Sequence, residues 1–265
     1  STYAYRTPEE IICTYSREGI DHLARLNVKT GRLDPIVTPY TSLGSVAAHG
    51  DWVLFRGGAP TQPGALLRVD LTTGDHEVLQ TSTTLDVEPG YLSVAEPVEF
   101  PTAGERTAYG LFYAPKNQDM QAPSGEKPPL LVISHGGPTG ASSSALSLRT
   151  QYWTSRGFAV LDVNYGGSAG YGRAYRDRLA GQWGIVDVQD CINGARYLVD
   201  QGRVDGERLA IRGGSAGGYT TLSALTFHDF FDAGASYYGV SDLGALARDT
   251  HKFESRYLDG LIGPY

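Results

Sequence analysis

Hydrophobic residues in the second part of the chain gather in short, nearly continuous runs, at 130–133, 158–165, 209–211 and 233–238. Runs of this length and composition predict buried strands. Between the second and third runs, apolar residues recur at three- and four-residue steps, which predicts a helix from about 183 to 199. These residues are Ile185, Val188, Ile192, Ala195 and Leu198. Strands and helices in this order predict an α/β domain over 86–265.

The first part of the chain contains an internal repeat. The stretch 23–31 has the same pattern as 66–74, at an offset of 43 residues, and an apolar strand precedes each copy, at about 11–15 and 52–55. A Thr-Gly pair in each copy predicts a hairpin turn between outer strands. Because four-stranded propeller blades repeat every ~40 to 50 residues, the repeat predicts that 1–85 form the last two blades of a β-propeller. A small independent β-domain is the alternative.

A hexapeptide of small residues, 213–218, lies between the apolar run 209–211 and a helical stretch from 219 to about 227. A serine on such a tight strand-to-helix turn adopts strained backbone angles, and only small residues fit at the neighbouring positions 213 and 217. The turn also places the N–H group of Ala216 beside the serine oxygen, where an oxyanion develops during acyl transfer. Ser215 is therefore the candidate nucleophile; a Gly/Ser-rich surface turn is the alternative.

The strand 130–133 ends in a glycine pair and a proline, in the stretch 134–138. In α/β-hydrolases, a His-Gly-Gly type loop after an early strand supplies the second oxyanion donor. Because glycine lets a peptide N–H face the substrate, we expect Gly137 to be this donor, with Gly136 and His135 supporting the loop. His135 is interpreted as a bracing residue and not as the catalytic base.

Two further features of the sequence resemble ligand-binding sites, but a structural role is favoured for each. The glycine-rich stretch 166–172 invites assignment as a phosphate-binding loop, but no Gly-Lys-Ser/Thr follows it and its spacing does not match a dinucleotide site. Asp187 and Asp190 lie off the apolar stripe of the predicted helix. No His or Cys is clustered with them, so we expect a solvated or salt-bridged helix face in preference to a metal site.

Four ordered motifs resemble the catalytic domain of the prolyl oligopeptidase family, in its acylaminoacyl peptidase and dipeptidyl aminopeptidase-like branch. They are HGGP at 135–138, NYGGSAGYG at 164–172, QWGIVDVQD at 182–190 and GGSAGGY at 213–219. The resemblance covers about 90–265. It implies an α/β-hydrolase domain in which Ser215 is the nucleophile and Ala216 and Gly137 form the oxyanion hole. In this family a β-propeller precedes the hydrolase domain and restricts entry to short peptides.

The chain departs from the family in two places. Prolyl oligopeptidase itself carries a tyrosine where His135 stands, so a tyrosine hydroxyl donor is not expected at that place. Many relatives carry arginine at the position of Gly166, and we expect its loss to loosen or reshape that loop.

Triads of this class run in the order Ser, Asp or Glu, His, on loops after later strands. Only one further strand is predicted after Ser215, and His251 follows by just 36 residues. That distance is short against roughly 30 residues for each βαβ step. We therefore expect the triad acid and histidine beyond position 265, in a hydrolase domain incomplete at its C-terminal end. A triad of Asp242 or Asp249 with His251 is the alternative, and His228 is the remaining histidine downstream.

The sequence thus predicts a serine peptidase that acts on short peptides or small amides from the N-terminal side, through an acyl-enzyme on Ser215. The segment 251–257 resembles the wall of the substrate pocket, with Phe253 as the candidate apolar residue; helix packing is its alternative role. A carboxylesterase and a non-catalytic binding protein of hydrolase fold are the rival functions. Without the acid and histidine, we expect these 265 residues alone to be inactive.

The composition of the chain limits the kinds of partner that we expect it to bind. A formal net charge of −7 argues against nucleic acid, and no run approaches the ~20 apolar residues of a membrane span. We expect no metal and no cofactor, a peptide or small amide as substrate, the rest of the same polypeptide as a partner, and an oligomer as an open option. Cys13 and Cys191 are not an evident pair, and scarce cysteine favours the cytoplasm, with secretion left open.

Overall fold

The computed structural model describes residues 2–264, which divide into two compact units. The first comprises the chain up to Pro89 together with Ser143–Leu148, and the second comprises Gly90–Ser142 and the chain from Arg149 onward. The sequence-based boundary lies between 85 and 86. That the short stretch from 143 to 148 groups with the first unit had no signal in the sequence.

The first unit contains two four-stranded antiparallel sheets in which neighbouring strands pair in chain order. The first sheet is built from β1 (Tyr3–Thr7), β2 (Glu10–Arg17), β3 (Ile20–Asn27) and β4 (Leu33–Ile36). The second is built from β5 (Ser42–His49), β6 (Trp52–Ala59), β7 (Gln62–Asp70) and β8 (His76–Thr81). Buried side chains from both sheets form one core that includes Ile12, Leu23, Phe55 and Leu67.

The repeat found in the sequence corresponds to a repeated turn. In the first sheet, the Asn27 side chain accepts hydrogen bonds from the backbone N–H groups of the next turn, and Gly31 closes that turn with a φ of 71°. In the second sheet, Asp70 and Gly74 (φ 81°) do the same 43 positions later. A side-chain oxygen that caps its own turn and a glycine at positive φ fix this geometry locally. The repeat therefore marks equivalent corners of two similar sheets.

The second unit is built on a six-stranded sheet with the order β14-β13-β11-β12-β10-β9. Its antiparallel part contains β9 (Glu96–Thr102) and β10 (Arg106–Tyr113). The other four strands are parallel: β11 (Leu130–Ser134), β12 (Ala159–Asn164), β13 (Leu209–Gly214) and β14 (Ala233–Tyr237). Because the central strands are covered on both faces, they consist of apolar residues almost throughout. All four predicted strands of this sheet are confirmed.

Four helices of the second unit lie in the connections between the parallel strands, and two further helices follow β14. They are α1 (Leu148–Thr154), α2 (Arg173–Arg176), α3 (Val186–Asp200), α4 (Ala216–Phe227), α5 (Leu243–Asp249) and α6 (Tyr257–Leu261), with single 3-10 turns at Pro89–Tyr91 and Asp177–Leu179. The predicted apolar stripe of α3 is buried, except that Ile185 precedes the helix and is 48% exposed. The pattern did not predict α1 and α2, because they are too short to show a helical period.

Candidate active site

The hexapeptide at 213–218 forms a sharp turn between β13 and α4. Ser215 occupies the one position between them, with φ 56° and ψ −121°, and its side chain is exposed. A positive φ is costly for any residue with a Cβ, and such strain persists where the surrounding structure imposes it. The Ser215 N–H donates to the Tyr237 carbonyl at 3.1 Å, which ties the turn to β14. This is the geometry of a nucleophile elbow.

Close packing around the turn explains its glycines. A Cβ at Gly213 would lie 2.1 Å from the Gly217 carbonyl oxygen, and a Cβ at Gly217 would lie 2.1 Å from the Ser134 carbonyl oxygen. Both distances are far inside van der Waals contact with backbone atoms, which cannot move aside. The helix can therefore begin directly above the end of β11 only because these two positions lack side chains.

The loop after β11, residues 135–140, approaches the same serine. A Cβ built on Gly136 would lie 3.5 Å from the Ser215 Cβ, so the two backbones are adjacent. Gly137 has a φ of 125°, which favours glycine. Within the described residues, the N–H groups of Gly137 and Ala216 donate to no acceptor. Two unpaired backbone donors are thus available near the serine.

The carbonyl groups of this loop, in contrast, are held by donors from the protein interior. The Tyr165 hydroxyl lies 3.0 Å from the carbonyl oxygen of His135 and 2.9 Å from that of Pro138, so its single proton is shared between these two acceptors. Tyr165 is fully buried, and burial raises the pKa of its phenol well above the ordinary value, so it remains a donor. With carbonyl oxygens turned inward, the loop offers N–H groups to an anion.

His135 braces the loop through both ring nitrogens. Its ring stacks on Tyr165 with centroids 4.2 Å apart. Burial lowers the pKa of His135 to about 4, so the ring is neutral at pH 7. Nδ1 lies 2.9 Å from the Gly136 carbonyl oxygen, which requires a proton on Nδ1, and Nε2 then accepts from the buried Ser168 hydroxyl at 2.7 Å. Both nitrogens are engaged, which supports the interpretation of His135 as a bracing residue.

The expectation of a solvated face at Asp187 and Asp190 is wrong. Both side chains are buried, at 0% and 2% exposure. Asp187 accepts hydrogen bonds from the Thr220 hydroxyl at 2.5 Å and from the Gly184 N–H at 2.6 Å. Burial raises the pKa of Asp187 to about 6, against the opposing effect of these donors. Since Thr220 lies on the second turn of α4, Asp187 anchors the helix that follows Ser215.

Asp190 anchors the glycine-rich stretch 166–172. Its carboxylate accepts from the Thr102 hydroxyl at 2.5 Å and from the Gly166 N–H at 2.7 Å. The space beside Gly166 is filled by Val186 and by the Arg178 side chain, and a Cβ there would lie 2.8 Å from Val186. The loop is therefore pinned and closely packed at Gly166, contrary to the expected loosening.

The downstream candidates for a triad either lie far from Ser215 or contact other residues in this structure. His228 follows the C-terminal end of α4, and the 12-residue helix separates it from Ser215 by about 18 Å. His251 is exposed and pairs with Glu254 at 3.8 Å. Asp242 caps α5 by accepting from the Ala245 N–H. Among the described residues of the second unit, no histidine is hydrogen-bonded to the Ser215 hydroxyl.

The segment 251–257, which resembles a pocket wall, contains one residue with a contact that the sequence did not predict, Tyr257. Phe253 is 86% exposed, and its ring contacts the neighbouring His251 and Lys252. Tyr257, at the start of α6, donates from its hydroxyl to the Gly137 carbonyl at 3.1 Å. A lone tyrosine 120 positions from the loop carries no sequence signal for such a contact.

Residues 2–264 contain neither a cluster of metal ligands nor a helix that could span a membrane. No group of three or more His, Cys, Asp or Glu side chains there could hold a metal ion. None of the helices in that part of the chain is long and apolar enough to cross a membrane. Both cysteines are free thiols.

The sheet order, the elbow and the adjacent glycine loop define the second unit as an α/β-hydrolase domain. The sequence model of the prolyl oligopeptidase family matches residues 144–264. This part of the chain is similar to that family and contains three of the four motifs that resemble it, while HGGP at 135–138 lies before the matched residues.

Known proteins with related sequences and structures agree. A dipeptidyl aminopeptidase BIII of Pseudoxanthomonas mexicana is 32% identical over 168 residues, which are 62% of this chain and 24% of that protein. A puromycin-hydrolyzing peptidase of Mycobacterium tuberculosis is 45% identical, with a TM-score of 0.95 over 100% of this chain and 40% of its own. A serine-to-alanine mutant of puromycin hydrolase complexed with PGG is 38% identical, with a TM-score of 0.92 over 99% of this chain and 40% of its own.

Coverage of these relatives is partial. The chain spans about a quarter of the dipeptidyl aminopeptidase and about two fifths of the two solved chains. The similarity to the solved chains extends over both units of this protein, whereas the family match begins at residue 144.

Proposed function

We propose that the protein containing this chain is a serine peptidase that hydrolyses short peptides or small amides from the N-terminal side. The observation that carries this proposal is Ser215 at a φ of 56°, exposed on the elbow, with the unpaired N–H groups of Gly137 and Ala216 nearby. The Ser215 oxygen attacks the scissile carbonyl, and the two N–H groups stabilise the oxyanion that forms. A histidine acts as the base and returns the proton to the leaving amine.

The comparisons support an amide substrate that is cleaved from its N-terminal side, and several relatives are named acylamino-acid-releasing enzymes. One relative is named a dipeptidyl aminopeptidase and another a puromycin-hydrolyzing peptidase. The two four-stranded sheets of the first unit support a propeller in the whole protein that limits the substrate to short peptides, in which these sheets are two blades. We propose no cofactor, because acyl transfer by a serine needs none.

We propose further that the 265 residues alone are inactive. The acid and the base of the triad are then supplied by sequence outside them. Support comes from the contacts of His135, His228 and His251, none of which is with Ser215.

Labelling with a fluorophosphonate serine probe tests both proposals. We expect the full-length protein to be labelled, its Ser215→Ala variant to remain unlabelled, and the 265-residue chain to react far more slowly. Labelling of the short chain at the full-length rate would contradict its inactivity. Labelling of the Ser215→Ala variant at the wild-type rate would show that another residue reacts with the probe and would contradict the assignment of the nucleophile.

A carboxylesterase uses the same serine and the same oxyanion donors, so the probe does not separate the two activities. Comparison of an aminoacyl amide with the matching ester, at equal concentration, does. We expect saturable turnover of the amide. Turnover of the ester alone would favour the carboxylesterase.

A further inference from the structure

The peptide groups on either side of Gly137 are held by two different side chains. On the preceding side, the Gly136 carbonyl accepts from His135 Nδ1. On the following side, the Gly137 carbonyl accepts from the Tyr257 hydroxyl at 3.1 Å. Because a carbonyl and the next N–H belong to one planar unit, holding the first peptide determines where the Gly137 N–H points. Holding the second peptide restricts rotation about ψ of the same glycine.

Glycine is the residue that most needs such restraint. Gly137 has no Cβ and a φ of 125°, so the backbone by itself offers many alternative conformations. An N–H donor whose orientation fluctuates cannot stabilise a developing oxyanion, because the stabilisation depends on a geometry that is fixed before the reaction. His135 holds the peptide before Gly137 and Tyr165 holds the carbonyl of Pro138, but neither contacts the carbonyl of Gly137 itself.

Tyr257 is placed to supply the missing restraint from a distant element. Its hydroxyl also lies 3.1 Å from Thr139 Oγ1. Since the Gly137 carbonyl can only accept, the tyrosine proton goes to that carbonyl and Thr139 donates to the tyrosine oxygen. Both contacts come from the first residue of α6, which is also the last residue of the segment 251–257 that resembles the pocket wall.

We propose that Tyr257 is a positioning residue: its hydroxyl holds the Gly137 carbonyl so that the Gly137 N–H faces the oxyanion. This inference rests on the proposed function, since it concerns the oxyanion hole of the same serine. It also links the segment 251–257 to the catalytic step, because a displacement of that segment moves the restraint on the glycine.

The test compares Tyr257→Phe with the wild type in the full-length protein, on an aminoacyl anilide substrate. We expect kcat to fall about tenfold with KM changed less than twofold, a smaller loss than the roughly hundredfold that removal of an oxyanion donor causes. Binding of a peptide boronate, which forms a tetrahedral adduct with serine, is expected to weaken by the same factor as kcat. Tyr152→Phe, which alters another half-exposed tyrosine of the second unit, is expected to match the wild type.

The outcomes separate this proposal from the proposed function. Unchanged kcat and boronate affinity in Tyr257→Phe, with Ser215→Ala inactive, would overturn the positioning role and leave the peptidase intact. A rise in KM alone would overturn it too, because that result marks a substrate contact. If Ser215→Ala keeps full activity, both proposals fail. Thr139→Val keeps the hydrogen bond from the Tyr257 hydroxyl to the Gly137 carbonyl, so we expect kcat to fall less than threefold. A fall in kcat equal to that of Tyr257→Phe would assign the effect to loop packing instead.

Discussion

The loop of residues 135–140 and the segment of residues 242–256 are held in different ways. In the loop, the distant residues Tyr165 and Tyr257 bind the carbonyls of His135, Gly137 and Pro138, and the neighbouring His135 ring binds that of Gly136. In the segment, the polar contacts of Asp242, Thr250, His251 and Ser255 are with residues at most four positions away, as between His251 and Glu254. The polar groups of the loop are therefore held mainly by distant residues, and these polar groups of the segment by near neighbours, although α5 also packs against the core.

This difference matches what each region has to do in a peptidase. Electrostatic stabilisation of an oxyanion requires donors that are oriented before the substrate arrives. A substrate pocket tolerates adjustment, and elements with few buried contacts open at low cost in free energy. The comparison predicts large effects where the loop and elbow are altered and small effects in the segment.

The largest effect is expected at Ser215, compared with His251. In the full-length protein, Ser215→Ala should lower kcat/KM by about 10⁴-fold or more, since loss of a nucleophile is among the most severe single changes. His251→Ala should change it less than threefold, because this exposed side chain pairs only with Glu254 among the described charged groups. Steady-state hydrolysis of an aminoacyl anilide measures both. A loss at His251 comparable with that at Ser215 would show that the segment carries the base after all.

The next effect is on stability, at the glycines. Gly217→Ala places a Cβ 2.1 Å from the Ser134 carbonyl oxygen, so the free energy of unfolding should fall by more than about 3 kcal/mol. Gly260→Ala meets nothing within 4 Å and lies inside α6, so it should be neutral or slightly stabilising. The melting temperatures of the two variants, measured by thermal unfolding, test this difference. Equal melting temperatures would mean that the contact between the elbow and β11 is looser than described.

A pH-dependent effect of similar size is expected at Asp187. Its folded-state pKa of about 6 lies above the ordinary value near 4, so its contribution to stability is complete below about pH 4 and is lost as the pH rises through about 6. The shift corresponds to about 2 to 3 kcal/mol. Asp187→Asn removes this titration, so the variant should be most destabilised relative to wild type near pH 4, with the gap narrowing towards pH 7.

Chemical denaturation between pH 4 and 7 measures that gap. Asp162 is buried as well, with a pKa raised to about 6, and contributes the same sign in both proteins, so it cancels in the difference. Asp200→Asn, at the exposed end of the same helix, is the matched control and should show no such trend. A gap that widens with pH would reverse the sign that we assign to Asp187.

The smallest effect is expected at Phe253. Its ring is 86% exposed, so Phe253→Ala should leave the melting temperature unchanged. If the ring contributes an apolar wall to the pocket, KM for a substrate with a large apolar side chain should rise about three- to fivefold at unchanged kcat, the size of a modest hydrophobic contact. A fall in melting temperature would instead assign Phe253 to packing between helices.

Several features could be predicted from the sequence because their causes are local. The elbow at Ser215 follows from glycines at 213 and 217, and the repeated turns follow from Asn27 and Asp70 with a glycine four residues later. The four parallel strands of the second unit were found from apolar runs; burial on both faces explains this signal for β11 and β12, whereas all residues of β14 are exposed. The assignments of Ser215, Gly137 and Ala216 to catalysis remain predictions.

Other features depended on the tertiary structure alone. The helical pattern of the sequence predicted that the Asp187 carboxylate is exposed to solvent. It is buried beside Thr220 only because α3 packs against α4. Tyr257 is joined to Gly137 across 120 positions, and no local pattern predicts such a contact. The sequence by itself determined which segments turn sharply and which are buried, because sterics and hydrophobicity act over a few residues. Which polar groups meet was decided by the fold, because hydrogen bonds join whatever groups the packing of distant elements brings together.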